Sequence, residues 1–210
     1  MTPQKRKRLL TLLSELYPNP SSELHFKNDY QLIIAVVLSA QCTDKKVNQV
    51  TPSLFKRYRN FKELSLAKEK DVEEIIREVN YYKTKSKNIV QLAKRIMENF
   101  NGTLPTEHDD LISLHGVGRK TANVIQCEKG IRPAMPVDTH VLRVSNRLGL
   151  SSAKTPEGVE GDLTKQFPAD SWRDLHHQLI YHGRRVCKAR NPLCDECKLC
   201  KICPSCNINN

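Results

Sequence analysis

A chain of 210 residues with 39% hydrophobic composition has room for one large domain or two small ones, and it is too apolar to be a disordered chain. Its 34 Lys and Arg against 23 Asp and Glu give a formal charge of +11, a field that attracts polyanions, of which nucleic acid is the usual soluble one. The longest apolar stretch, Leu32 to Leu38, is too short to span a bilayer, so no membrane role is expected.

In chain order the patterning is helical nearly throughout. The opening run MTPQKRKRLLTLL places basic residues before a leucine pair, but no sustained apolar region or small-residue cleavage site follows. It reads as an amphipathic first helix started by Thr2 and Pro3, and the protein is expected to be cytoplasmic. Residues 29–41 read as a buried helix, apolar on most sides and capped by Asn28 or Asp29. Thr43-Asp44 opens a helix running to about Tyr58, and Glu69 to Val79 forms a short one. Lys85 to Phe100 is strongly periodic, and Asn101-Gly102 closes it. Thr155-Pro156-Glu157 is a start signal with Pro at the first helical position, and an amphipathic helix covers Ser171 to about Gly183. Sustained strand alternation is absent, so the fold class is all-α.

Eight cysteines are present, and six of them fall within 187–206. Crowded cysteines in a cytosolic chain are more often metal ligands than bridges. Closely spaced thiolates converge at little loop-closure cost, and four in a short loop fit either a [4Fe–4S] cluster or a four-cysteine zinc site. Cys194, Cys197, Cys200, Cys203 and Cys206 recur every third residue, so several sets of four are geometrically conceivable. Cys42 and Cys127, outside this tail, are expected to be buried and inert.

Residues 111–123 read LISLHGVGRKTAN. Gly116-Val117-Gly118 lies between a short helix and a longer one starting near Arg119. Glycines there permit a tight turn and expose backbone N–H groups at a helix N-terminus, a nest that binds phosphate without reading sequence. This segment resembles the helix-hairpin-helix motif of the endonuclease III family, L-P-G-V-G-R-K-T-A, with His115 in place of the proline. PVDTHVLRVSNRLGL (136–150) is similar to that family's aspartate loop and following helix, and LSAQCTD (38–44) to its DNA-facing helix junction. The spacing C-x6-C-x2-C-x5-C of Cys187, Cys194, Cys197 and Cys203 matches the family's cysteine pattern. The four matches stretch from about residue 30 to 203.

The resemblance implies the two-domain helix-hairpin-helix DNA glycosylase fold with a C-terminal iron–sulfur cluster loop. A middle segment, 22–132, would form a helical barrel carrying the hairpin at about 111–128. Residues 1–21 and 133–210 would form the cluster domain, with its loop at 187–203. The implied cofactor is a [4Fe–4S] cluster on Cys187, Cys194, Cys197 and Cys203, leaving Cys200 and Cys206 as spare thiols able to swap in as ligands. The implied partner is double-stranded DNA containing damaged bases or abasic sites, bound by a monomer in a cleft where Lys120 and Asp138 face each other. The cluster is expected to be structural and to position Arg184, Arg185, Lys188 and Arg190 for phosphate contact.

The implied activity is excision of oxidised pyrimidines followed by cleavage of the abasic strand by β-elimination. Lys120 would be the nucleophile and Asp138 the essential carboxylate. An ordinary lysine amine is neutral for only about one molecule in a thousand near pH 7.5, and a nearby carboxylate favours the charged form. Asp138 is therefore expected to relay protons, stabilise cationic sugar character and cap the following helix, leaving activation of the amine to desolvation, the helix N-terminus and Arg119. Reaching C1′ inside a duplex requires extrusion of the nucleotide. By resemblance Gln41 fills the vacated stack or contacts the opposite base, Asp44 helps line the pocket, and Tyr81 stands where the family has an aliphatic wedge, since an aromatic unstacks a base pair comparably. His115, Gly116, Val117, Gly118 and Arg119 would contact phosphate, and His140 is expected to be a structural or cleft histidine facing DNA rather than a catalyst. His176, His177 and His182 are expected to be packing residues or phosphate contacts. Two other readings compete: a monofunctional mismatch glycosylase, which would lack Lys120, and a non-catalytic DNA-binding protein with a four-cysteine zinc site.

Overall fold

A computed structural model of the chain describes residues 1–206. Eleven α-helices and two short 3-10 turns make up the regular structure of these residues, with no strand among them. In chain order the helices are α1 (Pro3–Leu16), α2 (Asp29–Ser39), α3 (Asp44–Arg57), α4 (Phe61–Ser65), α5 (Glu69–Ile76), α6 (Tyr82–Asn99), α7 (His108–Ile112), α8 (Arg119–Lys129), α9 (Thr139–Arg147), α10 (Pro156–Gln166) and α11 (Trp172–Arg185). No helix among the described residues is long and apolar enough to cross a membrane.

Most helix starts follow local capping chemistry. Thr2, Asn28, Thr43, Asn60 and Thr155 each accept a hydrogen bond from a backbone N–H in the first turn of the helix they precede, satisfying donors that have no partner within the helix. Pro3 and Pro156 sit in first turns, where a missing N–H costs nothing. The periodic sixth helix ends as the sequence predicts: Asn101 and Gly102 both have positive φ, and the Gly102 N–H returns to the Ile96 carbonyl.

The chain divides into two compact units, one of residues 22–131 and one joining residues 1–21 to 132–206 within its described part. In the first unit α2 is the central element. Leu32 through Leu38 are all buried, so every face of this helix has a neighbour, and it packs against α3, α6 and α8. Helices α4 and α5 lie on α6, and α7 lies on α8. Side chains such as Ile33, Leu54, Ile76, Leu92 and Ile125 form one continuous apolar core. A fully buried aliphatic side chain contributes about 1.5–3 kcal/mol, which makes this core the main stabilising term of the unit.

The second unit has its own core. Leu9 and Leu13 of α1 meet Val141 and Val144 of α9, Val159 and Leu163 of α10, and Leu175 and Leu179 of α11. Leu199, from the cysteine tail, is buried in the same cluster, so the tail is packed and not a loose appendage. Gly183 on α11 lets α9 approach: a Cβ there would sit 3.1 Å from both the His140 Cβ and the Val144 Cγ2.

Several details differ from the sequence reading. Helix α2 ends at Ser39 rather than at residue 41. Helix α6 begins at Tyr82 rather than Lys85, because Tyr81 adopts left-handed backbone geometry and starts the helix directly. Helix α5 stops at Ile76, three residues short of Val79. The five-residue α4 was not anticipated, because it is too short to show helical periodicity.

Candidate active site and cysteine loop

The hairpin occupies the turn from α7 to α8. Gly116 has φ of +77°, a region that L side chains rarely adopt, and a Cβ there would lie 3.1 Å from the Asn88 side chain and 3.2 Å from the Val37 Cγ1. Val117 is buried beneath the turn, and its N–H bonds to the Leu114 carbonyl. Gly118 caps α8 with no side-chain hydrogen bond, and a Cβ there would meet nothing within 4 Å. The first turn of α8 is thus open to an incoming anion. His115, Arg119 and Lys120 are exposed around it. Gly116→Ala is expected to destabilise the fold by about 2 kcal/mol through backbone strain and the two close contacts, measured by denaturant unfolding.

Asp138 is the N-cap of α9. One carboxylate oxygen accepts from both the His140 and Val141 N–H groups at 2.8 Å, so the expected capping role is present. The carboxylate is half-buried, and α9 points its positive dipole end at it. His140, one turn in, is half-buried and takes a hydrogen bond on Nδ1 from Arg143 at 3.2 Å. An arginine only donates, so the ring proton sits on Nε2. Burial lowers the His140 pKa below the usual imidazole value; Arg143 and Arg184 add to this, while Asp138 opposes it.

The far end of the same helix holds the cysteine loop. Arg143 donates to the Gly183 carbonyl at 2.9 Å and to the Cys187 carbonyl at 3.1 Å. Arg147 donates to the carbonyls of Lys188 at 2.6 Å and Ala189 at 3.0 Å, and lies 3.5 Å from the Cys187 sulfur. The Cys203 thiol in turn lies 3.4 Å from the Arg147 carbonyl. Sequence reasoning missed both arginines, because their partners lie about 40 residues away and no local spacing announces them.

Cys187, Cys194, Cys197 and Cys203 are half-buried free thiols lining one cavity of about 210 Å³. Burial raises the Cys197 and Cys203 pKa values, and neighbouring cysteines add to the effect. His182 borders the same cavity, with Nε2 3.6 Å from the Cys197 sulfur and Nδ1 3.2 Å from the Tyr17 hydroxyl. Its burial pushes the pKa down to about 4, so the ring is neutral. His176 and His177 are buried too. All three are therefore packing residues and not the phosphate contacts that were the alternative expectation.

Other expectations are corrected here. Cys200 and Cys206 are not spare thiols: they are joined by a disulfide, their Cα atoms 5.3 Å apart across a short 3-10 turn. The three-residue repeat that made the ligand set ambiguous also brings this pair within bridging distance. Cys42, expected to be buried, is half-buried at the end of α2, whereas Cys127 is buried. Of the basic residues assigned to phosphate, Arg185 stacks its guanidinium over the Tyr181 ring at 4.5 Å, while Lys188 and Arg190 are exposed.

The DNA-probing candidates all belong to the first unit. Gln41 and Tyr81 are exposed, and each has a positive φ. Asp44, in the first turn of α3, is half-buried. Lys85 went unnoticed in the sequence: it is only 5% exposed, and its ammonium donates to the Leu38 carbonyl at 2.8 Å and the Ala40 carbonyl at 2.6 Å. Burial lowers its pKa below the usual lysine value, with an opposing contribution from Cys42.

Comparison with known proteins agrees at the level of both sequence and fold. Residues 34–169 match the HhH-GPD superfamily of base excision DNA repair proteins. Endonuclease III of Synechocystis sp. is 43% identical over 203 residues, covering 96% of this chain and 93% of that protein. Endonuclease III of Escherichia coli is 40% identical over 197 residues, covering 94% and 93%. The structure of a trapped endonuclease III–DNA covalent intermediate superposes with a TM-score of 0.92 at 40% identity, covering 98% of this chain and 97% of that one. A thermostable thymine-DNA glycosylase shares the fold at 20% identity, with a TM-score of 0.86. The chain therefore belongs to the endonuclease III family within the HhH-GPD superfamily of base excision DNA repair proteins.

Proposed function

We propose that Lys120 is the nucleophile of this chain and Asp138 its essential carboxylate. Membership of the endonuclease III family makes the protein a DNA glycosylase and abasic-site lyase of base excision repair, acting on damaged DNA. The observation that carries the residue assignment is the hairpin: it holds Lys120 exposed in the first turn of α8, beside a helix start that has no side-chain cap. A relative at 40% identity has been captured as a covalent intermediate with DNA, and a primary amine is the group such chemistry needs.

The Lys120 Nζ attacks C1′ of the extruded nucleotide, the bond from C1′ to the base breaks, and the base leaves with a proton. The bound nitrogen gives up one proton, its lone pair then forms the C=N bond as the C1′–O4′ bond breaks and O4′ takes up a proton, and the resulting open-chain iminium acidifies C2′. Removal of a C2′ proton then expels the 3′ phosphate with the electron pair of the C3′–O bond. Asp138 stabilises the cationic sugar and takes up protons; its existing hydrogen bonds to two backbone N–H groups hold it in place without using both oxygens. Because Lys120 and Arg119 are exposed, the water around the amine is shed when DNA binds rather than when the protein folds.

Gln41, Asp44 and Tyr81 are assigned to the extruded site and the opposite strand, and His115, Gly116, Val117, Gly118, Arg119 and His140 to the backbone. Oxidised pyrimidines are the substrate class we assign. The test is borohydride trapping on duplex DNA carrying an oxidised pyrimidine; base release without trapping would overturn the lysine mechanism.

A [4Fe–4S] cluster on Cys187, Cys194, Cys197 and Cys203 is the cofactor we assign. A single zinc ion draws four sulfurs to about 2.3 Å from one point. Among the described residues no three His, Cys, Asp or Glu side chains converge in that way, while the four thiols line a cavity of about 210 Å³. A donor set spread around a cavity fits a cluster better than one ion, and the Cys200–Cys206 bridge leaves these four as the free thiols of the tail. When bound, the cluster would tie the loop together through four thiolates, next to the arginines of α9. The purified protein is expected to be brown with a broad visible band, and Cys197→Ser to lose both; a colourless, zinc-containing protein would contradict the assignment.

A further inference from the structure

Four non-glycine residues among those described have positive φ: Asn101, Asn191, Gln41 and Tyr81. Asparagine tolerates this region, but glutamine and tyrosine rarely adopt it. Backbone geometry of this kind persists only where the surroundings impose it. At Gln41 and Tyr81 the surroundings are one shared set of hydrogen bonds.

Helix α2 ends with carbonyls that have no partner within the helix. The Lys85 ammonium takes two of them, Leu38 and Ala40, at 2.8 and 2.6 Å. The Asn80 amide takes the next carbonyl, that of Gln41 itself, at 2.7 Å. The Cys42 N–H closes the turn onto the Ser39 carbonyl at 3.0 Å. Asn80 directly precedes Tyr81, and Lys85 bonds through its own N–H to the Tyr81 carbonyl at 3.0 Å. The segment that carries Tyr81 is therefore the segment that fixes Gln41.

We infer that Asn80 and Lys85 are positioning residues that lock Gln41 and Tyr81 into a single rigid probe of the DNA duplex. The cation suits this place because a helix C-terminus carries negative partial charge, and a lysine buried against backbone carbonyls is withdrawn from phosphate. The backbones of Gln41 and Tyr81 then need no further ordering when their exposed side chains enter the base stack. The inference rests on the reading of Gln41 as a duplex-facing residue.

Asn80 is exposed, so its replacement tests the idea without endangering the fold. In Asn80→Ala, single-turnover excision of an oxidised pyrimidine from duplex DNA is expected to fall roughly 10-fold, while borohydride trapping on a single-stranded abasic oligonucleotide, where no stack is opened, stays as in the parent. Asn80→Asp, which keeps the shape but cannot donate to the Gln41 carbonyl, is expected to behave like the alanine variant. In a Gln41→Ala background the Asn80 effect should disappear, because the side chain it positions is gone. A damaging Gln41→Ala combined with a harmless Asn80→Ala overturns the inference alone. Equal losses on duplex and single strand, with a lowered melting temperature, overturn it as well, since they mark a merely structural role. A harmless Gln41→Ala overturns the reading of Gln41, and the inference falls with it.

Discussion

Lys120→Gln is expected to abolish borohydride trapping and to lower excision from damaged duplex DNA by about 10⁴-fold or more, equivalent to about 5 kcal/mol of barrier. Glutamine keeps most of the length and remains a hydrogen-bond donor, so the comparison isolates the amine. If Lys120 served instead as a phosphate contact, its loss would remove one ionic interaction. Binding would then weaken modestly, the dependence of affinity on salt would fall by about one ion, and chemistry within the complex would continue. Salt dependence and single-turnover rate measured on one variant therefore separate the two roles. A variant that still traps covalently would exclude Lys120 as the nucleophile. Lys120 is exposed at the start of α8, so its replacement leaves the core untouched, and the melting temperature checks this directly.

The parts of this molecule that were legible in its sequence are those written in local chemistry. Thr2-Pro3, Asn28, Thr43 and Thr155-Pro156 announce helix starts because capping is a matter of a few adjacent residues. Asn101-Gly102 announces a helix end for the same reason. The capping role of Asp138 was readable because an aspartate followed by a helix-forming run has N–H groups within reach of its carboxylate.

What was hidden depends on residues that meet only in the folded chain. Lys85 lies in the sequence KTKSK, where every second residue is a lysine and one buried member looks like its solvated neighbours. Only the carbonyl ends of α2 distinguish it. Arg143 and Arg147 read as the polar face of an amphipathic helix until the cysteine loop returns to cover them. The tail shows a third kind of limit. Its cysteines recur so evenly that spacing alone allows several ligand sets, and only tertiary packing separates the bridged pair from the four thiols left free.

Helix α9 joins two of these features, and this bears on how the carboxylate should be tested. Its N-cap is Asp138, and its last turns brace the cysteine loop, so a change at residue 138 can act through chemistry or through the helix. Asp138→Asn retains an acceptor for the His140 and Val141 N–H groups, and asparagine caps about as well as aspartate. Its stability should therefore stay within about 0.5 kcal/mol of the parent, allowing for the lost charge at the helix N-terminus. Asp138→Ala removes the cap and should cost about 1 kcal/mol. If the carboxylate manages protons and cationic charge, both variants lose activity by about 10²–10⁴-fold, regardless of their difference in stability. If it serves only as a cap, activity follows stability, and the asparagine variant works nearly as well as the parent. Single-turnover excision rates and denaturation midpoints for the pair decide between these outcomes. An active asparagine variant would remove Asp138 from the chemistry while leaving its structural role intact.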